Sequence, residues 1–107
     1  MASGHLKGSL ELLLLAVLAP GPAHGYAVIG ALRERSDGEF DLPEGTVYPA
    51  LHKLEREGLV RSAWEIAGGR RRRVYSLNQR GAHALQEQRA EWAMFQRGVQ
   101  SVLAVSV

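Results

Sequence analysis

Residues 60–77 read VRSAWEIAGGRRRRVYSL, and this stretch decides the fold. Val60, Ser62, Trp64 and Ile66 alternate with Leu59, Arg61, Ala63 and Glu65. A period of two marks an extended strand with two unlike faces. Ala67-Gly68-Gly69 is a turn signal, and Val74 and Tyr75 mark the returning strand over Arg70 to Leu77, so the segment is predicted to be a β-hairpin. Directly after the turn stand four consecutive arginines, Arg70, Arg71, Arg72 and Arg73, which a strand divides two to each face. One or two charges suffice to protect an edge strand from pairing with another chain. Four in a row repel one another unless an anion relieves them, which favours a phosphate-contacting hairpin over a merely protected edge.

Outward from the hairpin the pattern is helical. Upstream, Val47, Leu51 and Leu54 form the inward face of a helix that begins near Pro43-Glu44-Gly45-Thr46 and stops at Gly58. Asp41 and Glu44 have the spacing of a capping box, and Pro43 suits a first turn. Pro49 leaves two possibilities open: a start near Thr46, at no cost, or an earlier start with one backbone bond lost and a bend. Before it, a helix of about three turns is expected from Gly25, with Tyr26, Ile29, Leu32 and Arg33 at helical spacing and Ser36-Asp37-Gly38 as its end. The first helix carries Leu6, Leu10, Leu13, Leu14, Val17 and Leu18 on one face, with Leu12 and Leu15 off it, and Pro20-Gly21-Pro22 ends it. Apolar residues on more than one side imply a helix buried on more than one side. Downstream, Asn78 is a suitable N-cap for a last helix. That helix carries Leu85, Trp92 and Val99 at seven-residue spacing, interleaved with Phe95 and Val102 and interrupted by Gln88. So long an apolar stripe fits a partner helix better than a free face.

Helix, helix, helix, hairpin, helix is the order of a mainly α, winged helix-turn-helix domain. In that design the third helix enters the DNA major groove and the hairpin, the wing, follows the backbone. With Val47, Leu51 and Leu54 inside, the third helix presents Thr46, Tyr48, Pro49, His52, Lys53 and Arg56 outward. Thr46 and Tyr48 bring hydroxyl donors and Lys53 suits phosphate or guanine. An ordinary solvated helix face has the same composition, so the helix alone does not decide the matter; the wing arginines do.

Charge is distributed to match. The chain of 107 residues has a net charge of only +2, but residues 1–50 hold three basic against six acidic residues, and residues 51–107 ten against five. A basic half facing an anion and a merely solvated basic face both fit that asymmetry. One domain accounts for the whole length, divided into residues 1–78 for the winged helix and 79–107 for the last helix in one continuous unit. The chain has no cysteine, which removes disulfides, thiolate nucleophiles and cysteine metal sites. The apolar run from Leu12 to Ala19 behind Lys7 has some features of a leader, but Glu11 stands at its mouth. It also falls short of the roughly 18 residues a membrane span needs, so a cytoplasmic protein without membrane attachment is expected.

The residues Gly25-Tyr26, the run from Gly45 to Val60 around Thr46-Val47-Tyr48-Pro49-Ala50-Leu51, and Gly68 to Leu77 followed by Gly81 together resemble the PadR family of bacterial transcriptional regulators. The resemblance spans residues 6–103, and the Thr-x-Tyr-Pro-x-Leu-x-x-Leu-Glu-x-x-Gly stretch is far more specific than a general helix-turn-helix pattern. It implies a winged helix with one C-terminal helix, dimers formed through the first and last helices, and a recognition helix at Thr46, Tyr48, Pro49 and Lys53 with the wing at Gly68 to Arg73. The dimer would then use Leu10 and Leu14 with Leu85, Trp92, Phe95, Val99 and Val102. Many members are repressors released by a small molecule, in some against an aromatic residue of the last helix. Trp92 holds a comparable place, though a core residue of the dimer interface would look the same. The family usually has Thr before the last helix where this chain has Asn78; both residue types cap helices.

Enzyme chemistry finds little support. His5, His24, His52 and His83 lack metal-ligand spacing, Ser3, Ser9, Ser36 and Ser62 lie in no nucleophile-elbow context, and Gly68-Gly69 opens into a strand rather than a phosphate-cradling helix. No cofactor or metal is expected. The expectation is a homodimeric, sequence-specific regulator of double-stranded DNA, a repressor released by a small aromatic effector. Two other readings stand beside it: a winged-helix module that binds a partner protein through its basic face, and an RNA-binding winged helix.

Overall fold

The computed structural model describes residues 3–104, with side chains from residue 8 onward. The side chains of Ser3, His5, Leu6 and Lys7, for which sequence expectations were given, lie outside the described residues. The elements in chain order are α1 (Ser3–Leu18), β1 (Ala23–His24), α2 (Gly25–Arg35), α3 (Glu44–Arg56), β2 (Val60–Ala67), β3 (Arg70–Leu77) and α4 (Gln79–Ala104). The three strands form one antiparallel sheet in the order β1-β3-β2. The fold is therefore mainly helical with a winged β-hairpin, as the order of elements predicts.

The hairpin closes through a two-residue turn. Gly68 and Gly69 have φ of 59° and 76°, so both central positions are left-handed, the geometry of a type I′ turn that matches strand twist and favours glycine. Ala67 pairs with Arg70, and the register runs without a bulge to Val60 opposite Leu77. The two-residue strand β1 adds Ala23 opposite Tyr75 and His24 opposite Val74. A period of two cannot show in two residues, so β1 was not legible in the sequence.

One core holds all the elements. Leu14, Leu15, Val17 and Leu18 of α1 meet Val28 and Leu32 of α2, Val47, Leu51 and Leu54 of α3, Val60, Tyr75 and Leu85. At about 25 cal/mol per Å² of apolar surface removed from water, such a cluster is the main source of stability. α1 is closed on more than one side, as its composition predicts, but Leu15, placed off the main face, is fully buried while Leu13 is half-buried. In α2 the expectation for Tyr26 is corrected. Val28 takes the core position and Tyr26 is 65% exposed, because the buried face of α2 runs through Gly25, Val28 and Leu32 and leaves Tyr26 off it.

The start of α3 is settled at Glu44. Pro43 is the N-cap residue and makes no side-chain cap, so the expected capping box is absent; Asp41 instead lies 3.9 Å from Arg33 as a surface ion pair. Pro49 is thus inside the helix, where it removes the bond to the carbonyl of Gly45, an exposed residue. The end of α3 is a Schellman motif: Gly58 at φ 79°, with Gly58 N–H on Glu55 O and Leu59 N–H on Leu54 O, each at 3.0 Å. Asn78 caps α4 as expected, its Oδ1 accepting from Gly81 N–H at 2.8 Å while its Nδ2 donates to Gly58 O at 2.7 Å.

Candidate nucleic-acid interface

At 100° per residue, the side of α3 opposite Val47, Leu51 and Leu54 is occupied by Gly45, Pro49, His52 and Arg56. Pro49, His52 and Arg56 are all exposed, as is Lys53, which is 3.9 Å from Glu57 in an i,i+4 pair. Thr46 and Tyr48 lie on opposite flanks of this face and are half-buried. Thr46 shares its flank with Lys53, toward α1 and α4, whereas Tyr48 leans toward the wing. Arg56 stands nearer the centre of the outward face than either hydroxyl residue, and its place follows from helical period alone.

Between α2, α3 and the wing lies a cleft of about 610 Å³ lined by Tyr26, Tyr48, His52, Trp64, Tyr75 and the arginines 70–73. Glycine at position 25 makes room for one wall of it: a Cβ there would collide with the phenol ring of Tyr48. Tyr75 is buried beneath the cleft, its hydroxyl 3.2 Å from His52 Nε2. All three phenols are held above the usual tyrosine range: Tyr26 by a hydrogen bond to the Glu44 carboxylate and by its charge, Tyr48 by burial and then by Glu44, and Tyr75 by burial. At neutral pH all three are uncharged O–H groups; Tyr26 faces Glu44 and Tyr75 faces His52, which leaves Tyr48 as the phenol that can donate to an anion in the cleft.

The four wing arginines differ in their surroundings. Cross-strand pairing puts Arg70 and Arg72 on one face with Glu65 and Ala67, and Arg71 and Arg73 on the other with Trp64 and Ile66. Arg72 is bound to Glu65 through Nε and Nη2, both at 3.0 Å. Arg73 donates from Nε to Ser62 Oγ at 2.8 Å and lies 3.8 Å from Glu55. Arg71 stacks over the Trp64 ring at 4.5 Å, leaving its edge free for an anion. Among the described residues no carboxylate lies within ion-pair distance of Arg70 or Arg71.

The residues expected at a dimer interface divide into two groups. Leu14 is 0% and Leu85 6% exposed, both inside the chain's own core, so neither has surface to offer a partner; this corrects the expectation for them. For Leu85 the reason is that a heptad stripe does not say where a helix leaves its own domain. Leu10 is half-buried. Trp92, Phe95, Val99 and Val102 form an exposed apolar stripe on α4, with the Trp92 and Phe95 ring centres 5.8 Å apart. The polar interruption at Gln88 is explained by its bond to Glu11 of α1 at 2.7 Å. Trp92 and Phe95 also line a second cleft, of about 600 Å³, with Leu10, Ala50 and Lys53.

Among the described residues no cluster of His, Asp or Glu could hold a metal ion, and no helix is long and apolar enough to cross a membrane.

Three helices, a glycine-turned wing and a long C-terminal helix define the winged helix-turn-helix class with a helical arm. The family model described as "Transcriptional regulator PadR-like family" matches residues 14–87. The chain belongs to the PadR-like family of transcriptional regulators, which are not enzymes. It is 35% identical to the transcriptional regulator Rv3488 of Mycobacterium tuberculosis, over 78% of this chain and 75% of that protein. It is 30% identical to the transcriptional regulator YqjI of Escherichia coli over 92% of this chain, but spans only 45% of that longer protein. Among solved structures, a PadR family transcription regulator from Clostridium difficile superposes with a TM-score of 0.81 at 31% identity, covering 90% of this chain and 99% of that one. A PadR family transcriptional regulator from Eggerthella lenta gives 0.85 at 30% identity, covering 99% and 91%.

Proposed function

We propose that this chain is a cytoplasmic, homodimeric repressor that binds double-stranded DNA sequence-specifically, with α3 in the major groove and the wing along the backbone. The observation that carries the reading is the common cleft: Tyr48 and His52 of α3 and the four wing arginines border one space, and no carboxylate of the described residues pairs with Arg70 or Arg71. His52 and Arg56 are suited to base edges, Thr46, Tyr48 and Lys53 to phosphates and register, and Pro49 to close contact with the groove. Two copies would place two α3 helices in successive major-groove half-sites about one helical turn apart. A flat aromatic effector would enter the cleft beside Trp92, between α1 and α4, and release the DNA.

The reading is tested by binding to the DNA upstream of the protein's own gene against a scrambled duplex, from about 50 to 200 mM salt. A preference that survives the higher salt supports a sequence-specific regulator. Equal, salt-labile binding to both duplexes, or a preference for structured RNA or a partner protein, counts against it. Effector binding is read as tryptophan quenching in a Trp64→Phe background, which leaves Trp92 as the reporter.

Three variants probe the interface. Replacing Arg70 and Arg71 together with Ala should flatten the slope of log K against log salt by about 1.8, two phosphate contacts' worth, and Arg72→Ala by clearly less than one contact. An unchanged slope in the double variant would remove the wing from the interface. Gly25→Ala should displace the Tyr48 ring and weaken operator binding about fivefold, the worth of one hydrogen bond. Its stability should stay within about 1 kcal/mol of the parent, since Ala is a good residue for a first helical turn. A loss of binding without a loss of melting temperature is the expected pair of readings.

A further inference from the structure

One wing arginine is turned inward and tied to the recognition helix. Arg73 Nε donates to Ser62 Oγ at 2.8 Å, and Ser62 Oγ in turn donates to Glu55 Oε2 at 2.7 Å. Arg73 Nη2 lies 3.8 Å from the same carboxylate oxygen, and its guanidinium packs 5.2 Å from the centre of the Trp64 ring. The chain of contacts crosses three elements, α3 to β2 to β3, and all three side chains are part-buried.

We propose that Glu55, Ser62 and Arg73 form a clamp that sets the angle of the wing to the recognition helix, and that Arg73 is a positioning residue rather than a phosphate contact. The inference rests on the DNA-binding reading above and revises the role of one of its four wing arginines. Three physical points support it. Arg73 has its Nε–H on a hydroxyl and its charge beside the Glu55 carboxylate, so less of that charge is left for a phosphate than at Arg70 or Arg71, which have no carboxylate partner among the described residues. Glu55 lies on the flank of α3 that borders the wing, and its charge would repel a DNA backbone unless a cation held it. Register between wing and helix cannot come from the turn, because a two-glycine I′ turn fixes the hairpin but not its tilt against α3. Ser62 is the polar residue in the alternation of β2 that points to this side, and its hydroxyl both accepts from Arg73 and donates to Glu55.

The test compares Ser62→Ala, Arg73→Lys and Arg73→Ala with the Arg70/Arg71 double Ala variant, in the full-length protein. The first two preserve net charge and leave the core untouched. Operator affinity should fall about fivefold in each of them, the loss of one or two hydrogen bonds, with the salt slope unchanged and affinity for a scrambled duplex unchanged. The Arg70/Arg71 variant should show the opposite pattern, a flatter slope on both duplexes. If Arg73→Lys binds like the parent and Arg73→Ala loses about one contact of salt slope, Arg73 is a phosphate contact and the clamp is wrong. Hydrogen exchange of the β2 and β3 amides in the free protein gives a reading independent of DNA. Ser62→Ala should speed exchange along the wing, and exchange at the parental rate would overturn the clamp. Failure of the parent protein to bind any duplex would sink the DNA reading alone, with the clamp still decided by exchange in the free protein.

Discussion

Gly81→Ala is expected to cost about 3 kcal/mol, the upper end for overpacking a well-filled site, and to lower the melting temperature by roughly 15 °C. Gly81 is buried in the first turn of α4, where a Cβ would run into the backbone carbonyl of Leu59 and stand 3.1 Å from Leu77 Cδ2. The carbonyl has no freedom to withdraw. Leu59 N–H closes the Schellman motif on Leu54 O at 3.0 Å, and Leu59 O accepts from Asn78 N–H at 3.3 Å. The Asn78 side chain then ties Gly58 O to Gly81 N–H. End of α3, start of β2 and start of α4 are therefore joined through one set of backbone groups, and an added methyl must break some of them. Gly30→Ala is the contrast. Gly30 lies in α2 with nothing within 4 Å of its Cβ direction, so the same substitution there should stabilise by about 0.5–1 kcal/mol through helix propensity. Thermal unfolding followed by circular dichroism distinguishes the two, and a Gly81→Ala protein melting within a few degrees of the parent would mean that the junction yields.

The parts of this fold that were legible in the sequence are those fixed by local chemistry. Gly58 stops α3 because a left-handed residue is required there, Gly68-Gly69 turns the hairpin for the same reason, and Asn78 caps α4 with its own side chain. The inward face of α3 followed from period alone, since Val47, Leu51 and Leu54 are separated by four and three. What failed depends on where elements sit in space. Asp41 and Glu44 have capping-box spacing, but the helix starts one residue past Pro43, and Asp41 finds Arg33 instead. Tyr26 looks like a core aromatic until α2 is placed beside the wing, where a phenol can face both Glu44 and the cleft.

The candidate site was legible as composition but not as pairing. Four arginines after a glycine turn announced an anion-facing wing. Which of them remain available depended on Glu65 and Glu55, seven residues before Arg72 and on another element respectively. Glu55 lies on the flank of α3 beside the wing, away from the centre of the outward face, and that direction is what lets it meet Ser62 and Arg73. Burial made the same distinction on the last helix. Leu85 and Trp92 occupy equivalent heptad positions, yet Leu85 is closed by the domain and Trp92 lies past its edge.

That difference gives the second large effect. Trp92→Glu is expected to yield a folded monomer, and Leu85→Glu an unfolded chain. Trp92 is 46% and Phe95 63% exposed, so a carboxylate at 92 is hydrated in the monomer and costs the fold little. In a dimer whose two α4 stripes pack together, the same carboxylate would be buried opposite apolar side chains, at a cost of several kcal/mol. About 4 kcal/mol corresponds to roughly a thousandfold weaker association, enough to move a submicromolar dimer to monomer at working concentrations. Operator affinity should fall with it, since a monomer reaches only one half-site and loses the contacts of the second α3 and wing. Sedimentation and circular dichroism on the same samples separate the outcomes. A Trp92→Glu protein that is fully folded and still dimeric would place the partner surface elsewhere on the chain. Leu85→Glu, by contrast, forces a charge into the buried apolar cluster of the domain, and no change of oligomeric state can hydrate it. The stripe on α4 is thus divided near Gln88: inward of it the helix completes its own domain, and outward of it the same period leaves the exposed residues that, in the proposed dimer, would meet a second copy.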